Sequence, residues 1–438
     1  MKKMFLALLA LLLVAVTAVT FVACSKEEGE AGGKQTNGEP TYVSKFKSGK
    51  GFQEIKDPVS WEKINSYPIK KAGMPIEEAR QLCVNFLRYA KTACWIPNDS
   101  YDIWSDAKIH NDGTPPARSL TGGDIYGGLP YIGYATGSIY RLMDYIDEET
   151  GVVDMKRAGA VPEAFGNQCA NGAYVGFARV INSAKYSITE DMVQTNGFLR
   201  VGPYVYEDYL PTYGDSYGTD EIIAENDRDT MFESYALLKA GDGIVYYTTA
   251  GHVVMVATDA VVVRDPSTNK IIPNQSYITV LDQTATWTTG TNEAGDTFTY
   301  EANVDAKWSF DKLLNGSYLP FTFKEWTGED PIEETEVSIS HEGDTITMDQ
   351  LYSLTVTSNY YIMDLYAQIF DAQGNEVYKL ASRPIRKCSV KEFRFFRAGA
   401  GVDSWGDADS LKSGYTVKIY MQLGTGERPV LWEGKLAK

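Results

Sequence analysis

The chain has 438 residues, too many for one ordinary hydrophobic core, so two or more domains are expected. Hydrophobic residues make up 44% of the sequence and charged residues 23%, which is typical of a globular protein. The formal net charge of −17 argues against a basic surface that binds nucleic acid or anionic lipid.

The N-terminus has the layout of a secretory signal. Two lysines precede an unbroken apolar run, which ends at a small residue and Cys24 in the segment FVAC. FVAC resembles a bacterial lipobox, in which the cysteine is acylated and becomes the first mature residue. We therefore expect residues 1–24 to be a lipoprotein signal peptide and the mature protein to be exported and anchored in the membrane through Cys24. A plain signal peptide cleaved nearby is the alternative, and it also leads to export.

The residues after the signal predict a tether and then two domains. Residues 25–45 are polar and rich in Gly and Glu, so they predict a flexible tether. Helical patterns followed by β patterns predict an α+β domain at 46–328, with helices packed on an antiparallel sheet. Short alternating strands with regularly spaced turns then predict an all-β, Ig-like sandwich at 329–438.

The remaining cysteines do not form a disulfide scaffold. Apolar residues at helical spacing predict a helix at 75–94, in which Cys83 and Cys94 face the core. The two lie about 16 Å apart along that helix, too far for a disulfide. Cys388, in a β-rich region, is expected to be structural. This leaves Cys169, which precedes a helical pattern in the segment FGNQCANGAYVGFARV.

The sequence contains three histidines, and their positions differ. His110 falls in an irregular loop and His341 at a strand–turn junction, so both are expected to be exposed. His252 opens an apolar strand after a Gly-Asp-Gly turn, a short strand and a second turn. The start of a strand at a sheet rim is a common location for a catalytic base, and a partly buried structural histidine is the alternative.

Counting along the next hairpin gives His252 a partner. The strongest turn signal is DPSTN at 265–269. Two antiparallel strands folded about residue 267 place His252 opposite Asp282, on the same side of the sheet. If the register of the two strands slips by one residue, Gln283 or Leu281 takes the place of Asp282 opposite His252. Asp282 is therefore the expected partner, with Gln283 as the alternative.

These residue types suit nucleophilic catalysis. A thiol in the first turn of a helix meets N–H groups and the positive end of the helix dipole, which favour the thiolate. A histidine beside the thiol stabilises the thiolate further, and a carboxylate or amide behind the histidine fixes its tautomer. The N–H groups at the helix start can bind the oxyanion of a tetrahedral intermediate. Taken alone, a cysteine such as Cys169 is more often structural.

Residues 120–287 resemble NlpC-type papain-like cysteine peptidases, a group of bacterial cell-wall hydrolases. The matching segments are YGGLPYIG, NQCANG, KAGDGIVYYTTAGHVVMVA and VLDQT, and the Gly-Asp and Gly-His-Val pair is the most specific. The resemblance implies a papain-like fold, with Cys169 as nucleophile, His252 as general base and acid, and Asp282 as the orienting residue. It also implies that Tyr131 lines the oxyanion site.

The sequence departs from the family pattern around the nucleophile. Gln168 replaces the family's acidic residue, and Ala170 and Asn171 replace two small polar residues. Gln168 is a candidate for oxyanion or substrate binding, as are Tyr131 and Gln283. The departures leave substrate specificity open, together with the possibility of a divergent, inactive relative.

The expected function is hydrolysis of amide bonds in peptidoglycan stem peptides through a thioester. A transglutaminase-like acyltransferase and a non-catalytic surface lipoprotein that binds glycan or peptide through its tyrosines are the alternatives. No metal pattern is expected from the scattered histidines or from the carboxylate spacing. No cofactor or nucleotide is expected either, since the Gly-rich segments lack the Gly-Lys-Ser/Thr of a phosphate loop.

Overall fold

The computed structural model describes residues 51–103, 119–133, 135–160, 165–183, 198–205, 218–248, 250–384, 390–394 and 400–438. Helices and strands are mixed in these ranges, which confirms the α+β class. Several predictions fall outside the described residues: the signal peptide at 1–24 with Cys24, the tether at 25–45, His110 and Cys388.

The helices of the described ranges are α1 (Trp61–Ser66), α2 (Ile76–Thr92), α3 (Ile139–Leu142), α4 (Met155–Ala158), α5 (Cys169–Phe177), α6 (Thr219–Ala224), α7 (Arg228–Tyr235), α8 (Phe310–Asn315), α9 (Lys324–Thr327) and α10 (Met348–Ser353). The strands before α10 are β1 (Cys94–Pro97), β2 (Tyr101–Asp102), β3 (Ser119–Leu120), β4 (Tyr126–Gly127), β5 (Ile146–Asp147), β6 (Val152–Val153), β7 (Phe198–Arg200), β8 (Gly243–Tyr247), β9 (Gly251–Val256), β10 (Tyr277–Thr291), β11 (Thr297–Ser309), β12 (Leu319–Phe323), β13 (Val337–Ile339) and β14 (Thr345–Ile346). The strands after it are β15 (Thr355–Phe370), β16 (Glu376–Pro384), β17 (Val390–Arg394), β18 (Ala400–Gly406), β19 (Thr416–Leu423) and β20 (Val430–Leu436).

The first large sheet carries the candidate site. Its strand order is β5-β6-β1-β4-β11-β10-β9-β8-β12-β7. The strands from β8 to β11 pair antiparallel, as expected. In the rest of the sheet the expectation of antiparallel pairing is wrong at two pairs, because β1 pairs parallel with β6 and β4 pairs parallel with β11, whereas the remaining pairs are antiparallel. These short strands come from the irregular region before the nucleophile segment, where no strand period is visible in the sequence.

Helix α2 ends two residues earlier than the predicted helix at 75–94. Ala93 leaves the helical region at φ −62° and ψ 118°, and Cys94 begins β1. Pro97 cannot donate a helical hydrogen bond, which is consistent with an extended chain at this point. Cys83 and Cys94 are both buried and unpaired, as the sequence predicts.

Helix α5 packs against α2 and against β9 and β10, and each of its residues is buried. Two glycines one turn apart allow this close packing. A Cβ atom on Gly172 would lie 2.8 Å from Cβ of Gln283 on β10, and one on Gly176 would lie 2.6 Å from Cε of Met255 on β9. The small residues therefore bring the start of α5 against the strands that hold the histidine and the aspartate.

The strands after α9 form a second sheet. Its order is β14-β20-β19-β15-β16-β18, and β13 and β17 also pair with β15. The first half of β15 pairs with β13 and β17, and the second half with β16 and β19, so this one long strand links all the others. The Ig-like arrangement stays a prediction. No helix in the described part of the chain is long and apolar enough to cross a membrane.

Buried ion pairs join the second sheet to the helical layer. The guanidinium of Arg141 on α3 lies 2.7 Å from Asp364 on β15. Asp144 lies 2.8 Å from both Lys379 and Arg383 on β16. Tyr361 on β15 also packs edge-on against Tyr174 of α5, with ring centroids 5.3 Å apart. The second sheet therefore supports the helix that begins at Cys169.

Candidate active site

The segment before α5 holds Cys169 at the start of the helix. Gln168 is extended, with φ −109° and ψ 172°, and the helix begins at the next residue. Asn167 pairs with the chain around Tyr131: its N–H donates to Pro130 O at 2.9 Å, and its carbonyl accepts from Ile132 N at 2.9 Å. The GLPY segment therefore lies beside the residues that lead into the nucleophile helix.

His252 and Asp282 are in direct contact across β9 and β10. Nε2 of His252 lies 2.7 Å from Oδ1 of Asp282. Oδ2 of Asp282 accepts a hydrogen bond from Nδ2 of Asn303 on β11 at 2.8 Å. Asp282 is 2% exposed, whereas the His252 side chain is 23% exposed. The carboxylate is thus enclosed and the imidazole keeps one accessible edge.

Cys169 is the third member of this group. Its thiol hydrogen-bonds with the His252 side chain, and its sulfur lies 3.9 Å from the carbonyl oxygen of Gly251. Because Asp282 occupies Nε2, Nδ1 is the ring nitrogen left for the thiol. A neutral imidazole that donates its Nε2 proton to Asp282 has Nδ1 as its acceptor, the arrangement a general base requires.

The electrostatics of the pair favour a thiolate and an imidazolium. Burial raises the pKa of the Cys169 thiol, but the hydrogen bond and charge of His252, with the N–H groups of Val253 and Ala170, bring that pKa below its ordinary value. Burial lowers the pKa of His252, but the hydrogen bonds and charges of Asp282 and Cys169 raise it above its ordinary value. Both directions increase the share of the reactive thiolate at neutral pH.

Asp282 stays ionised despite its burial. Burial raises the pKa of this carboxyl, but hydrogen bonds from His252 and Asn303 and the charges of His252 and Lys91 lower it below its ordinary value. An ionised Asp282 accepts hydrogen bonds at both oxygens, so it fixes the orientation and the tautomer of the imidazole.

Tyr318 forms an aromatic wall beside the histidine. Its ring stands edge-on to His252 with centroids 6.5 Å apart, and it also contacts the rings of Tyr246 and Trp308. Burial, with the charges of Asp282 and Cys169, raises the pKa of Tyr318, so its hydroxyl remains protonated at neutral pH.

The other predicted site residues have different positions. Gln283 is 3% exposed, and its described hydrogen bonds lead away from the histidine. Its Oε1 accepts from Lys91 Nζ at 3.2 Å, and its Nε2 donates to the carbonyl oxygens of Leu129 and Glu301. Gln283 therefore ties α2, the GLPY segment and β11 together, and Asp282 takes the position beside the imidazole.

Tyr131 and Gln168 flank the start of α5. Tyr131 is partly exposed, and its N–H donates to Oε2 of Glu301 at 2.6 Å. Gln168 is partly exposed at the N-cap position, and its side chain does not cap the helix. Gln168 directly precedes Cys169, and Tyr131 pairs with Asn167, two residues before Cys169, so both residues stay candidates for contact with substrate.

Three further residues belong to the site and were not predicted: Lys91, Asn303 and Tyr318. For Lys91 the sequence does carry a signal, since it follows Cys83 and Leu87 at intervals of four on the apolar face of α2. A lysine on that face is unusual and needs a polar or charged partner. Asn303 and Tyr318 carry no comparable signal.

Within the described ranges, no group of three or more His, Cys, Asp or Glu side chains is placed to hold a metal ion. No model of a known protein family, no curated protein and no solved structure matches this chain.

Proposed function

We propose that this protein is an exported, lipid-anchored cysteine hydrolase that cleaves amide bonds in the peptide part of peptidoglycan. The observation that carries the proposal is the hydrogen-bonded series Cys169–His252–Asp282, in which the thiol stands at the start of a buried helix. The papain-like arrangement predicted from the sequence is part of the same proposal. The export and the lipid anchor on Cys24 that the N-terminal sequence predicts support the cell wall as the place where substrate is met.

The geometry supports a two-step acyl transfer. The Cys169 thiolate attacks the carbonyl carbon of the amide and forms a tetrahedral intermediate. The C–N bond then breaks, the leaving nitrogen takes the proton from Nδ1 of His252, and a thioester remains on Cys169. Water next gives a proton to Nδ1 and attacks the thioester carbon, and breakage of the C–S bond restores the thiolate.

The helix start supplies the oxyanion site of this mechanism. The first N–H groups of an α-helix have no partner within the helix, and they point towards a negative charge placed at its N-terminus. A carbonyl under attack by Cys169 places its oxygen beside these groups. Gln168, directly before the nucleophile, is the side chain proposed to add a further donor.

Muropeptides test the proposal. The full chain in detergent is incubated with purified muropeptides, and mass spectrometry is used to detect cleaved stem peptides. We expect cleavage by the wild type, none by Cys169→Ala, and normal cleavage by the control Cys94→Ala. Repeating the reaction with a labelled primary amine separates hydrolysis from transfer, because amine in the product would assign an acyltransferase instead.

Alkylation tests the thiolate independently of the substrate. Burial raises the pKa of Cys83 and of Cys94 to about 12, so neither thiol reacts near neutral pH. Iodoacetamide at neutral pH, followed by peptide mapping, should therefore label Cys169 and leave Cys83 and Cys94 unmodified. Intact muropeptides together with an unlabelled Cys169 would overturn the proposed hydrolase.

A further inference from the structure

The ionised form of the site has an excess of negative charge. The Cys169 thiolate and the Asp282 carboxylate each carry one negative charge, and the His252 imidazolium carries one positive charge. Cys169 and Asp282 are 6% and 2% exposed, so water solvates the two anions poorly. A buried group of unbalanced charge is costly in a protein interior, and a further cation lowers that cost.

Lys91 supplies a cation at this point. It lies in the last turn of α2 and is 4% exposed. Its Nζ is 3.2 Å from Oε1 of Gln283, and a Cβ atom on Gly172 would lie 3.4 Å from Nζ. The ammonium is therefore beneath the first turn of α5, behind the residues that bear the chemistry.

The charged groups around Lys91 come from four elements. Cys169 is on α5, Asp282 is on β10, and both act on the lysine through their charges. His252, on β9, is hydrogen-bonded to both. On β11, Glu301 accepts a hydrogen bond from Tyr131 N at 2.6 Å.

A further acidic residue near the end of α2 is already paired. Asp305, on β11, receives two hydrogen bonds of 2.8 Å from Arg88 on a more exposed side of the helix. Lys91 is thus directed to the reactive group formed by Cys169, His252 and Asp282. Burial lowers its pKa to about 8, and the charges of Asp282 and Cys169 act in the opposite direction, so the ammonium is the main form at neutral pH.

We propose that Lys91 is a positioning residue whose buried positive charge holds Cys169 in the thiolate form and Asp282 in the carboxylate form. The proposal rests on the proposed function, because it assigns the lysine to the same reactive group. The hydrogen bond to Gln283 fixes the position of the ammonium, but a neutral amide oxygen does not neutralise its charge. The Cys169 thiolate and the Asp282 carboxylate neutralise that charge.

The pH profile of Cys169 alkylation tests this role. The full chain reacts with iodoacetamide across a pH series, and the rate at Cys169 is followed by peptide mapping. Lys91→Met should move the midpoint up by about one pH unit, since a nearby opposite charge is worth about 1–3 units. Alkylation at pH 6 should fall about tenfold, and Lys91→Arg should restore most of it.

Two other lysines give matched controls. Lys70 is 3% exposed, donates to Glu333 O at 2.8 Å and lies over the ring of Tyr360, so these contacts involve none of Cys169, His252 and Asp282. Lys70→Met removes a buried lysine and should leave the midpoint unchanged even where it lowers stability. Lys312 lies over Trp308 on the exposed side of the site, so Lys312→Met should move the midpoint much less than Lys91→Met.

A stability cycle covers the case in which Lys91→Met folds poorly. Lys91→Gln and Asp282→Asn are combined, and unfolding by urea is measured for the single and double variants. We expect the loss caused by Lys91→Gln to be smaller when Asp282 is already neutral. Additive losses would overturn the role of the lysine.

The outcomes separate the two proposals. A wild-type midpoint at the ordinary thiol value of about 8.5 would overturn the proposed function and the role of Lys91 together. A low wild-type midpoint that is the same in Lys91→Met and Lys70→Met would overturn the role of Lys91 alone.

Discussion

His252 and Asp282 meet across neighbouring strands although they are not directly opposed. Strands β9 and β10 pair Val256 with Val280, and yet Nε2 of His252 lies 2.7 Å from Oδ1 of Asp282. The two residues are diagonal neighbours on one face, a separation that long side chains can span. The aspartate therefore approaches the imidazole from along the sheet and leaves its other edge open to Cys169.

Replacement of the aspartate tests this orienting role. Asp282→Asn keeps the shape of the side chain but removes the charge that fixes the histidine tautomer. We expect kcat/KM for muropeptide cleavage to fall about 100-fold or more, since the same change in a serine-protease triad costs about 10⁴ in kcat. Steady-state kinetics on both proteins measure the change.

Asn303→Ala is the matched control for that experiment. It removes only the 2.8 Å hydrogen bond to Oδ2 and leaves the bond from His252 in place. A hydrogen bond to a charged group contributes about 1.5–3 kcal/mol, so a loss of about 10–100-fold is expected. A loss as large as that of Asp282→Asn would contradict the separate roles of the two contacts.

The pH dependence of stability follows from two opposite pKa shifts. His252 has a raised pKa, so its contribution to stability is complete below about pH 6.5 and is lost as the pH rises through the folded-state pKa. Asp282 has a lowered pKa, so its contribution is complete above about pH 3.9 and is lost as the pH falls through the folded-state pKa. The contact should stabilise the fold most between these values.

Urea unfolding of Cys169→Ala against Cys169→Ala/His252→Ala isolates this contribution, because the thiol no longer titrates. The difference in unfolding free energy should be largest from about pH 4 to pH 6.5 and smaller on both sides. A difference that grows from pH 6 to pH 10 would contradict the raised pKa of His252.

The contact between His252 and Asp282 could be predicted although the counted strand register is wrong by two residues. A shift of two residues leaves each side chain on the same face of the sheet. Counting from residue 267 pairs Val256 with Ile278, whereas the structure pairs it with Val280. The chain between β9 and β10 makes isolated bridges that a simple hairpin lacks, such as Val261 with Tyr277. An even shift exchanges the opposed residue but keeps Asp282 on the side of the histidine.

The neighbours of Asp282 could not be predicted in the same way. Strands β10 and β11 contain two register shifts, so pairs counted from the turn differ from the observed pair of Asp282 with Asn303. A bulge inserts residues into one strand, and no local pattern in the sequence fixes its position. The parallel pairs of β1 with β6 and of β4 with β11 were also missed, because β4 and β6 are only two residues long and have no visible period.

The close packing of α5 predicts the effect of a single methyl group. A Cβ atom on Gly172 would lie 2.8 Å from Cβ of Gln283, which is attached to the backbone of β10 and cannot rotate away. Gly172→Ala gains about 1 kcal/mol of helix propensity, but overpacking costs about 1–3 kcal/mol. We expect a net loss of stability and a larger fall in activity, because the displaced helix carries Cys169.

Ala173→Gly is the control for Gly172→Ala. It lies in the same helix and costs about 1 kcal/mol of propensity without adding an atom. Urea unfolding and muropeptide cleavage are measured for both. For each variant, the loss of activity is compared with the loss of unfolding free energy. If the ratio of the two losses is the same in both variants, the idea that Gly172→Ala specifically displaces helix α5 is contradicted.

The buried ion pair between α3 and β15 predicts how firmly the second sheet is attached. Asp364 is fully buried, and its Oδ1 lies 2.7 Å from Nε of Arg141. Asp364→Asn leaves the guanidinium without its counter-ion, so we expect a loss of about 3–5 kcal/mol in unfolding free energy. The exposed pair Arg228–Asp311 should contribute only about 0–1 kcal/mol, so Arg228→Ala is the control.

The double variant Arg141→Met/Asp364→Leu separates pairing from packing. Removing both charges leaves no uncompensated ion, so its stability should exceed that of Asp364→Asn. Since α5 also packs on Tyr361 of β15, Asp364→Asn should slow alkylation of Cys169 as well. Unchanged alkylation in a measurably destabilised Asp364→Asn protein would show that the second sheet does not position the nucleophile.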